Sequence, residues 1–277
     1  MGKIKELEEK YHRLCEILEN CGSLAVAFSS GVDSAFLLET AHRVLGEKVL
    51  ALTAAGPWFP QRESAEAEEF CLKRGIRRKT LAITIPDIPG FAENPADRCY
   101  ICKKALFTRL IGESRREGFD VLAEGSNMDD LGDYRPGMKA IAELQVRSPL
   151  REAGLYKEDI RALSAQLGLE TASKPSYACL ASRFPYGDRI TEESLKMVEE
   201  GEELLIRLGF RQMRVRIHGK LARIELPQSD LAAALEEETR KAIVKGLKEA
   251  GFTYVSLDLA GYRTGSMNET LAAGALS

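Results

Sequence analysis

Long apolar runs are missing from this chain of 277 residues. No stretch approaches the roughly 18 apolar residues that a membrane-spanning helix requires. The first residues, Met1 to Leu7, are charged and amphipathic, unlike the apolar segment of a secretory signal. The sequence therefore predicts a cytoplasmic protein without a membrane partner.

A surplus of positive charge is missing as well, because 39 Lys and Arg residues stand against 42 Asp and Glu residues. The formal net charge of -3 gives a field that does not attract a polyanion such as tRNA. We therefore expect a small-molecule partner rather than a nucleic acid. Internal repeats and low-complexity tracts are absent too, and a content of 44% hydrophobic residues is enough for two folded domains.

Strand and helix patterns alternate along the first 175 residues. Strands are predicted near Leu24 to Phe28, Val49 to Thr53, Thr80 to Ile85 and Val121 to Glu124, and helices over Ile4 to Leu18 and from Asp33, Gln61, Lys103 and Tyr156. This alternation predicts an α/β fold, a parallel sheet with helices on both faces.

The pattern changes near residue 190. A helix from about Thr191 to Leu208 precedes a hairpin over Arg214 to Leu226, a helix after Ser229 and a strand near Tyr254 to Leu259. This order predicts a small α+β module. We therefore predict a nucleotide-binding domain over 1–175, a linker over 176–190 that carries Cys179, and an α+β domain over 191–277 for substrate binding or oligomerisation.

The segment from Phe28 to Ser34 joins an apolar strand to a helix through a Ser/Gly-rich turn. The first N–H groups of a helix have no intrahelical partner and lie at the positive end of its dipole, so they suit phosphate oxygens. The turn lacks the lysine of GxxxxGK[ST], which excludes a Walker loop. It resembles instead the pyrophosphatase loop, SGGxDS, of ATP-cleaving adenylating enzymes, with Ser30 replacing a glycine. The alternative is an ordinary turn capped by Asp33 or a nearby serine.

The candidate nucleotide-binding residues follow from this turn and from the sheet edge at which it lies. Ligands of parallel sheets bind beyond the carboxyl ends of the strands, so a second turn after the strand near residues 121–124 faces the same nucleotide. The predicted ATP-binding residues are Ser29, Ser30, Gly31, Val32, Ser34, Thr53, Gly125, Ser126 and Asn127. Asp33 either orients Mg²⁺ or caps the helix.

Six cysteines are not expected to form stable disulfides in a cytoplasmic protein. Cys15, Cys21 and Cys71 lie in or beside helical patterns and are interpreted as small buried hydrophobes. Three others remain to be explained.

Cys99 and Cys102 form a CxxC motif, and Cys179 follows in the predicted linker. CxxC can bind zinc or an iron-sulfur cluster, or form a redox disulfide. The chain has three histidines and none lies beside a cysteine, so a fourth zinc ligand has no obvious source. Three thiolates on a cubane cluster would leave one iron open to an additional atom. A cluster, zinc, and thiols that react directly remain alternatives.

Four segments together resemble the LarE family of ATP-dependent sulfur transferases of nickel-pincer nucleotide biosynthesis: 28–34, 98–103, 124–137 and 179–187. The resemblance spans most of the chain. It implies an adenine-nucleotide α-hydrolase-like first domain, activation by ATP with release of pyrophosphate, and a homo-oligomer such as a hexamer. It implies as substrate pyridinium-3,5-biscarboxylic acid mononucleotide, whose carboxylates become thiocarboxylates.

The phosphate of such a substrate needs a cationic site. Arg214 and Arg216 alternate along one predicted strand and so face the same side, and Arg183 lies four residues after Cys179. These three arginines are predicted to bind the substrate; the alternative is that they cover a solvated sheet face. Glu225, on the partner strand, binds a metal or pairs with one of them.

One departure concerns the source of sulfur. Family members that give up their own sulfur carry a single cysteine at the position of Cys179 and become dehydroalanine there. This chain also has Cys99 and Cys102, which favours the branch in which three cysteines hold a [4Fe-4S] cluster with a transferable sulfide. Cys179 is then a catalytic residue and a metal ligand. A sacrificed Cys179, a tRNA-thiolating enzyme and a non-catalytic nucleotide sensor with a zinc site remain the alternatives.

Overall fold

The first part of the chain is built around a four-stranded sheet. The structure is a computed structural model and describes residues 2–132, 136–175 and 178–263. The strands are β1 (Leu24–Ala27), β2 (Val49–Ala55), β3 (Arg77–Ala82) and β4 (Leu122–Ala123), all parallel and in the order β3-β2-β1-β4. β1 is wholly apolar, as strands buried on both faces usually are. The predicted α/β class with a parallel sheet is confirmed.

Helices flank this sheet and are anchored by its core. They are α1 (Gly2–Glu19), α2 (Val32–Leu45), α3 (Gln61–Arg74), α4 (Arg98–Arg116), α5 (Pro136–Glu143), α6 (Pro149–Glu152) and α7 (Lys157–Gln166). In α2, Phe36, Leu37 and Leu38 are fully buried in the same core as Leu14 of α1 and Val26 of β1. Each such side chain contributes about 1.5–3 kcal/mol. The start of α2, which is the end of the Ser/Gly-rich turn, is therefore firmly placed.

The third strand begins three residues before its predicted start at Thr80. It pairs with β2 from Leu50 opposite Arg77 to Ala55 opposite Ala82, and much of it is exposed. An edge strand accepts charged residues on its open side, so the apolar pattern alone underestimated its length at the start. The strand ends before the predicted Ile85.

The fourth helix begins at Arg98 rather than at Lys103. The backbone N–H of Arg98 donates to the carbonyl of Pro95, and no Gly or Pro follows in the next turn to stop the helix. Cys99 and Cys102 therefore lie inside the helix and not before it.

The last third of the chain contains a three-stranded sheet. A hairpin of β5 (Arg214–His218) and β6 (Leu221–Glu225) is extended by β7 (Tyr254–Leu257), which runs parallel to β6. The helices are α8 (Glu192–Arg207), α9 (Leu231–Leu235) and α10 (Glu237–Glu249). This order agrees with the predicted α+β module.

The chain divides into two compact units that are not continuous in sequence. The second unit consists of Pro57–Pro60, Ile88–Arg98 and Ala178–Ser277, and the first of the remaining residues. Residues from the predicted linker bond within the second unit: Leu180 N–H donates to the Trp58 carbonyl, and Gly187 N–H to that of Asn94. The predicted boundaries at 175 and 190 stay a prediction.

Across the described parts of the chain, none of the helices combines the length and the apolar character needed to cross a membrane.

Candidate active site

The Ser/Gly-rich turn lies at the carboxyl end of β1 and is ordered by its own serines. Ser29 Oγ and Ser34 Oγ are 3.0 Å apart, and Ser34 Oγ also donates to the Gly31 carbonyl. Gly31 is the N-cap residue of α2 and is extended, with φ -73°. These bonds close the turn around the start of α2, where the helix presents its first N–H groups to an anion.

The second predicted turn lies against the first, because β4 is the parallel neighbour of β1. A Cβ on Gly125 would lie 3.0 Å from the Ser34 nitrogen and 3.2 Å from the Asp33 carbonyl carbon. Only glycine permits so close an approach between the two backbones. Both turns thus meet at one edge of the sheet, where nucleotides bind in folds of this class.

We expect Gly125→Ala to weaken the binding of an ATP analogue by about tenfold, because the new methyl group displaces the start of α2 from its phosphate-binding position. Isothermal titration calorimetry measures this. Gly112→Ala is the matched control, since Gly112 lies in α4 and a Cβ there would meet no described atom within 4 Å. Equal affinities for the two variants would contradict the expectation.

Asp33 lies in the first turn of α2 and does not cap the helix, since the N-cap residue is Gly31 and makes no side-chain cap bond. The cap interpretation is therefore wrong. One carboxylate oxygen, Oδ2, forms a salt bridge with Nζ of Lys157 at the start of α7. The other, Oδ1, is buried and has no hydrogen-bond partner in the described ranges. An orphaned carboxylate oxygen beside a phosphate-binding turn fits a Mg²⁺ ligand.

The second turn is held by a buried carboxylate. Glu124 accepts hydrogen bonds from the Ser126 N–H at 3.1 Å, from Ser126 Oγ at 2.7 Å and from Ser148 Oγ at 2.6 Å. Asn127 Oδ1 accepts from the Asp129 N–H. This network fixes the shape of the turn whether or not a ligand is present.

Thr53 lies near the end of β2, beside β1 in the sheet. Its side chain is buried, and within residues 2–132, 136–175 and 178–263 its Oγ1 has no hydrogen-bond partner. Its predicted role in nucleotide binding, like those of the residues in both turns, stays a prediction.

Three cysteines belong to the protein core, as their helical patterns indicated. Burial raises the pKa of Cys71 to about 11 and also raises the pKa of Cys15 and Cys21. Such thiols stay protonated at neutral pH and are poor nucleophiles and metal ligands.

The other three cysteines are distributed over both units. Cys99 and Cys102, three residues apart in α4, share one helix face. Cys179 belongs to the second unit and precedes a short 3₁₀ turn, Leu180–Arg183. The six cysteines, all within the described ranges, form no disulfide.

The set of Cys99, Cys102 and Cys179 does not form a metal site in this structure. Among the residues that are described, no group of three or more His, Cys, Asp or Glu side chains is placed to hold a metal ion. The donor set for a three-cysteine [4Fe-4S] cluster is therefore not assembled, and we derive no reaction step through a cluster.

Arg183 fixes the backbone that carries Cys179. Its Nη1 donates to the carbonyls of Ala178 at 2.8 Å and Cys179 at 3.1 Å, while Nε and Nη2 donate to both carboxylate oxygens of Glu202 at 2.8 Å. Both side chains are buried. Burial alone would raise the pKa of Glu202, but the Arg183 guanidinium lowers it below its usual value. Glu202 also accepts from the Val215 N–H, which links this segment to β5.

Arg214 and Arg216 are both 5% exposed, so the interpretation as a solvated sheet face is wrong. Arg216 bonds to Glu225 Oε2 at 2.8 Å and to the Ser182 carbonyl at 2.9 Å. Glu225 is therefore paired, which was one of its two predicted roles. Burial, and then repulsion from Arg183, lowers the pKa of Arg214. Three buried guanidinium groups thus lie in one unit with the two buried carboxylates Glu202 and Glu225.

Three residues at these sites were missed by the sequence analysis. Glu202 had a signal, because it occupies the apolar face of α8 together with Leu195, Val198 and Leu205, all buried. Lys157 and Lys174 had none, because each reaches the Ser/Gly-rich turn from more than 120 residues away.

No family model matches this chain. It is 38% identical over 265 residues to an uncharacterized protein of Synechocystis, covering 96% of this chain and 99% of that protein. It is 35% identical over 272 residues to the pyridinium-3,5-bisthiocarboxylic acid mononucleotide synthase of Lactiplantibacillus plantarum, covering 98% of both chains.

A partial similarity extends to another enzyme. The chain is 26% identical over 175 residues to part of the glutamine-hydrolysing GMP synthase of Methanococcus maripaludis, covering 59% of this chain and 55% of that protein. This is in keeping with the predicted adenine-nucleotide α-hydrolase-like fold. The identity to the Lactiplantibacillus enzyme extends along nearly the whole of both chains, and the protein therefore belongs to the family of the pyridinium-3,5-bisthiocarboxylic acid mononucleotide synthase, the LarE family.

Proposed function

We propose that this protein uses ATP to adenylate the carboxylates of pyridinium-3,5-biscarboxylic acid mononucleotide and then converts them to thiocarboxylates. The observation that carries the proposal is the contact of Gly125 with the backbone of Ser34, which sets two turns at the nucleotide-binding edge of the sheet. The family relationship supports the substrate, because the Lactiplantibacillus relative is named as the synthase of the corresponding bisthiocarboxylic acid.

Activation is the first step. A carboxylate resists nucleophiles because its charge is delocalised, so one oxygen attacks the α-phosphorus of ATP and pyrophosphate leaves. The N–H groups at the start of α2, closed in by Ser29 and Ser34, bind the phosphate oxygens. Asp33 Oδ1 is the residue atom that would hold Mg²⁺. Bound Mg²⁺ neutralises charge on the leaving pyrophosphate.

Substrate binding falls to the second unit. The substrate is a mononucleotide, and its phosphate suits the guanidinium groups of Arg214 and Arg216, which are preorganised by burial and by the pair with Glu225. Arg183 serves this region by holding the carbonyls of Ala178 and Cys179.

Sulfur then replaces AMP on the activated carboxyl carbon. In one route Cys99, Cys102 and Cys179 bind a [4Fe-4S] cluster that carries the sulfide, as the family resemblance implies. In the other route the Cys179 thiolate attacks the acyl adenylate and AMP leaves. Loss of the Cys179 α-proton then breaks its Cβ–S bond, which leaves the thiocarboxylate and a dehydroalanine. The two routes differ in the mass of the protein after turnover.

Mixing the protein with ATP, Mg²⁺ and the dicarboxylate mononucleotide is expected to yield AMP and pyrophosphate, measured by chromatography and a pyrophosphate assay. Asp33→Ala should slow pyrophosphate release by about tenfold or more, because the carboxylate that places the metal is lost. Asp120→Ala, at an exposed position before β4, is the control and should release pyrophosphate at the normal rate. ADP and phosphate as the main products would contradict the proposed function.

A further inference from the structure

The phosphate-binding turn contains a residue in an unusual backbone conformation. Ser30 has φ +55°, in the left-handed region, where it is one of three described non-glycine residues. A side chain with a Cβ adopts this region at a steric cost that glycine avoids. Ser30 is also the position at which the pyrophosphatase loop pattern has a glycine. Something else must therefore hold this part of the turn.

Lys174 contacts Ser30 from the far end of the first unit's sequence. Its Nζ donates to the Ser30 carbonyl at 3.0 Å and to Ser30 Oγ at 3.2 Å, and it forms a salt bridge with Glu66 of α3. Ser30 Oγ in turn donates to the Glu63 carbonyl at 3.1 Å. We call Ser30, Glu63, Glu66 and Lys174 the Ser30 brace.

Lys174 is itself held in place. Arg161 of α7 donates to the carbonyl of Ala172 and, at 2.8 Å, to that of Lys174, which fixes the backbone from which the lysine extends. The Lys174 side chain is only 13% exposed. A lysine ammonium group has three protons, and here three acceptors take them: two on Ser30 and one on Glu66.

We propose that Lys174 is a positioning residue for ATP, which holds Ser30 in its left-handed conformation and so keeps the N–H groups of the turn aimed at the phosphates. Its protons are already bonded to Ser30 and Glu66, so Lys174 acts through Ser30 and not by touching ATP. In this chain it compensates for the serine that stands in place of a glycine. The inference rests on the proposed function in one respect, which is that the turn binds ATP.

The test is a double-mutant cycle on ATP affinity, measured by calorimetry with α,β-methylene-ATP and Mg²⁺. Lys174→Met is expected to raise the dissociation constant by about tenfold, the scale of one or two lost charged hydrogen bonds. Ser30→Gly alone should change it by less than about twofold, because glycine adopts the same φ without help. In the double variant, Ser30→Gly should restore the affinity to within about threefold of wild type. Lys73→Met, at a half-exposed lysine of α3, is the control and should bind normally.

The outcomes separate the two proposals. A wild-type protein that does not bind the analogue contradicts the proposed function. A wild-type protein that binds it, while Lys174→Met binds equally well or its defect persists with Ser30→Gly, overturns the role of Lys174. If Lys174→Met does not fold, recovery of folded, binding-competent protein on adding Ser30→Gly supports the inference, and failure to recover overturns it.

Discussion

Replacing Glu202 by glutamine is expected to lower the free energy of unfolding of the second unit by about 3–5 kcal/mol. Arg183 and Glu202 are 0% and 2% exposed, and removing one partner leaves the other as an uncompensated buried charge. Urea unfolding monitored by circular dichroism measures the loss. Glu200→Gln is the control, since Glu200 is about half exposed and pairs only loosely with Lys196; it should change stability by about 0.5 kcal/mol or less.

The double variant Arg183→Met with Glu202→Leu sharpens this test. Apolar side chains of similar size remove both charges, so much of the lost stability should return. The Cys179 carbonyl would then lack its guanidinium donor, and sulfur transfer should stay impaired in a protein that is folded again. A loss below about 1 kcal/mol for Glu202→Gln would contradict the importance of the pair.

The same ion pair contributes to stability in acid. Arg183 lowers the pKa of Glu202 in the folded state, so the carboxylate stabilises the fold above the usual glutamate pKa of about 4.3. That contribution is lost as the pH falls from there through the folded-state pKa. Glu202→Gln should therefore show a shallower loss of stability below about pH 4.3 than the wild type.

Replacing Cys179 by alanine is expected to abolish sulfur transfer while pyrophosphate release continues, because activation needs only the turn and sulfur delivery needs the thiol. Thiocarboxylate product and pyrophosphate are measured in the same reaction. Cys15→Ala in α1 is the control and should retain both activities, since burial keeps the Cys15 thiol protonated. Sulfur transfer by Cys179→Ala would exclude both routes proposed above.

The variants Cys99→Ala and Cys102→Ala distinguish the two routes. If a cluster supplies the sulfur, each should lose transfer and the iron-dependent visible absorption, just as Cys179→Ala does. If Cys179 is sacrificed, both should retain transfer, and the protein should lose about 34 Da in one turnover as a dehydroalanine forms. Intact-protein mass spectrometry of the iron-free protein decides between them.

Local chemistry made part of this site predictable. The strand before Ser29 and the serines and glycine of the turn are neighbours in sequence, so periodicity and turn composition were enough to place the phosphate-binding end of α2. The second turn followed from the rule that parallel strands end at one edge. The Gly125 contact with Ser34 is the structural result of these two predictions.

The partners of this turn could not be predicted in the same way. Lys157 and Lys174 pair with Asp33 and Ser30 across 124 and 144 residues, and no local pattern marks a lysine for such a contact. The start of α4 was placed too late because a CxxC motif was interpreted as preceding the helix. Side-chain chemistry near Cys99 did not stop helix formation, since only Gly or Pro would strongly oppose it there.

The interleaving of the two units has a consequence for how this chain can fold and be divided. Trp58 is fully buried against Phe91, and its carbonyl accepts from Leu180, so residues separated by more than 120 positions must meet before the second unit is complete. Contacts of such long sequence separation slow folding, and a nascent chain released after residue 175 would expose Trp58. No single proteolytic cut can separate the units, and a fragment covering residues 178–277 would lack part of its own core.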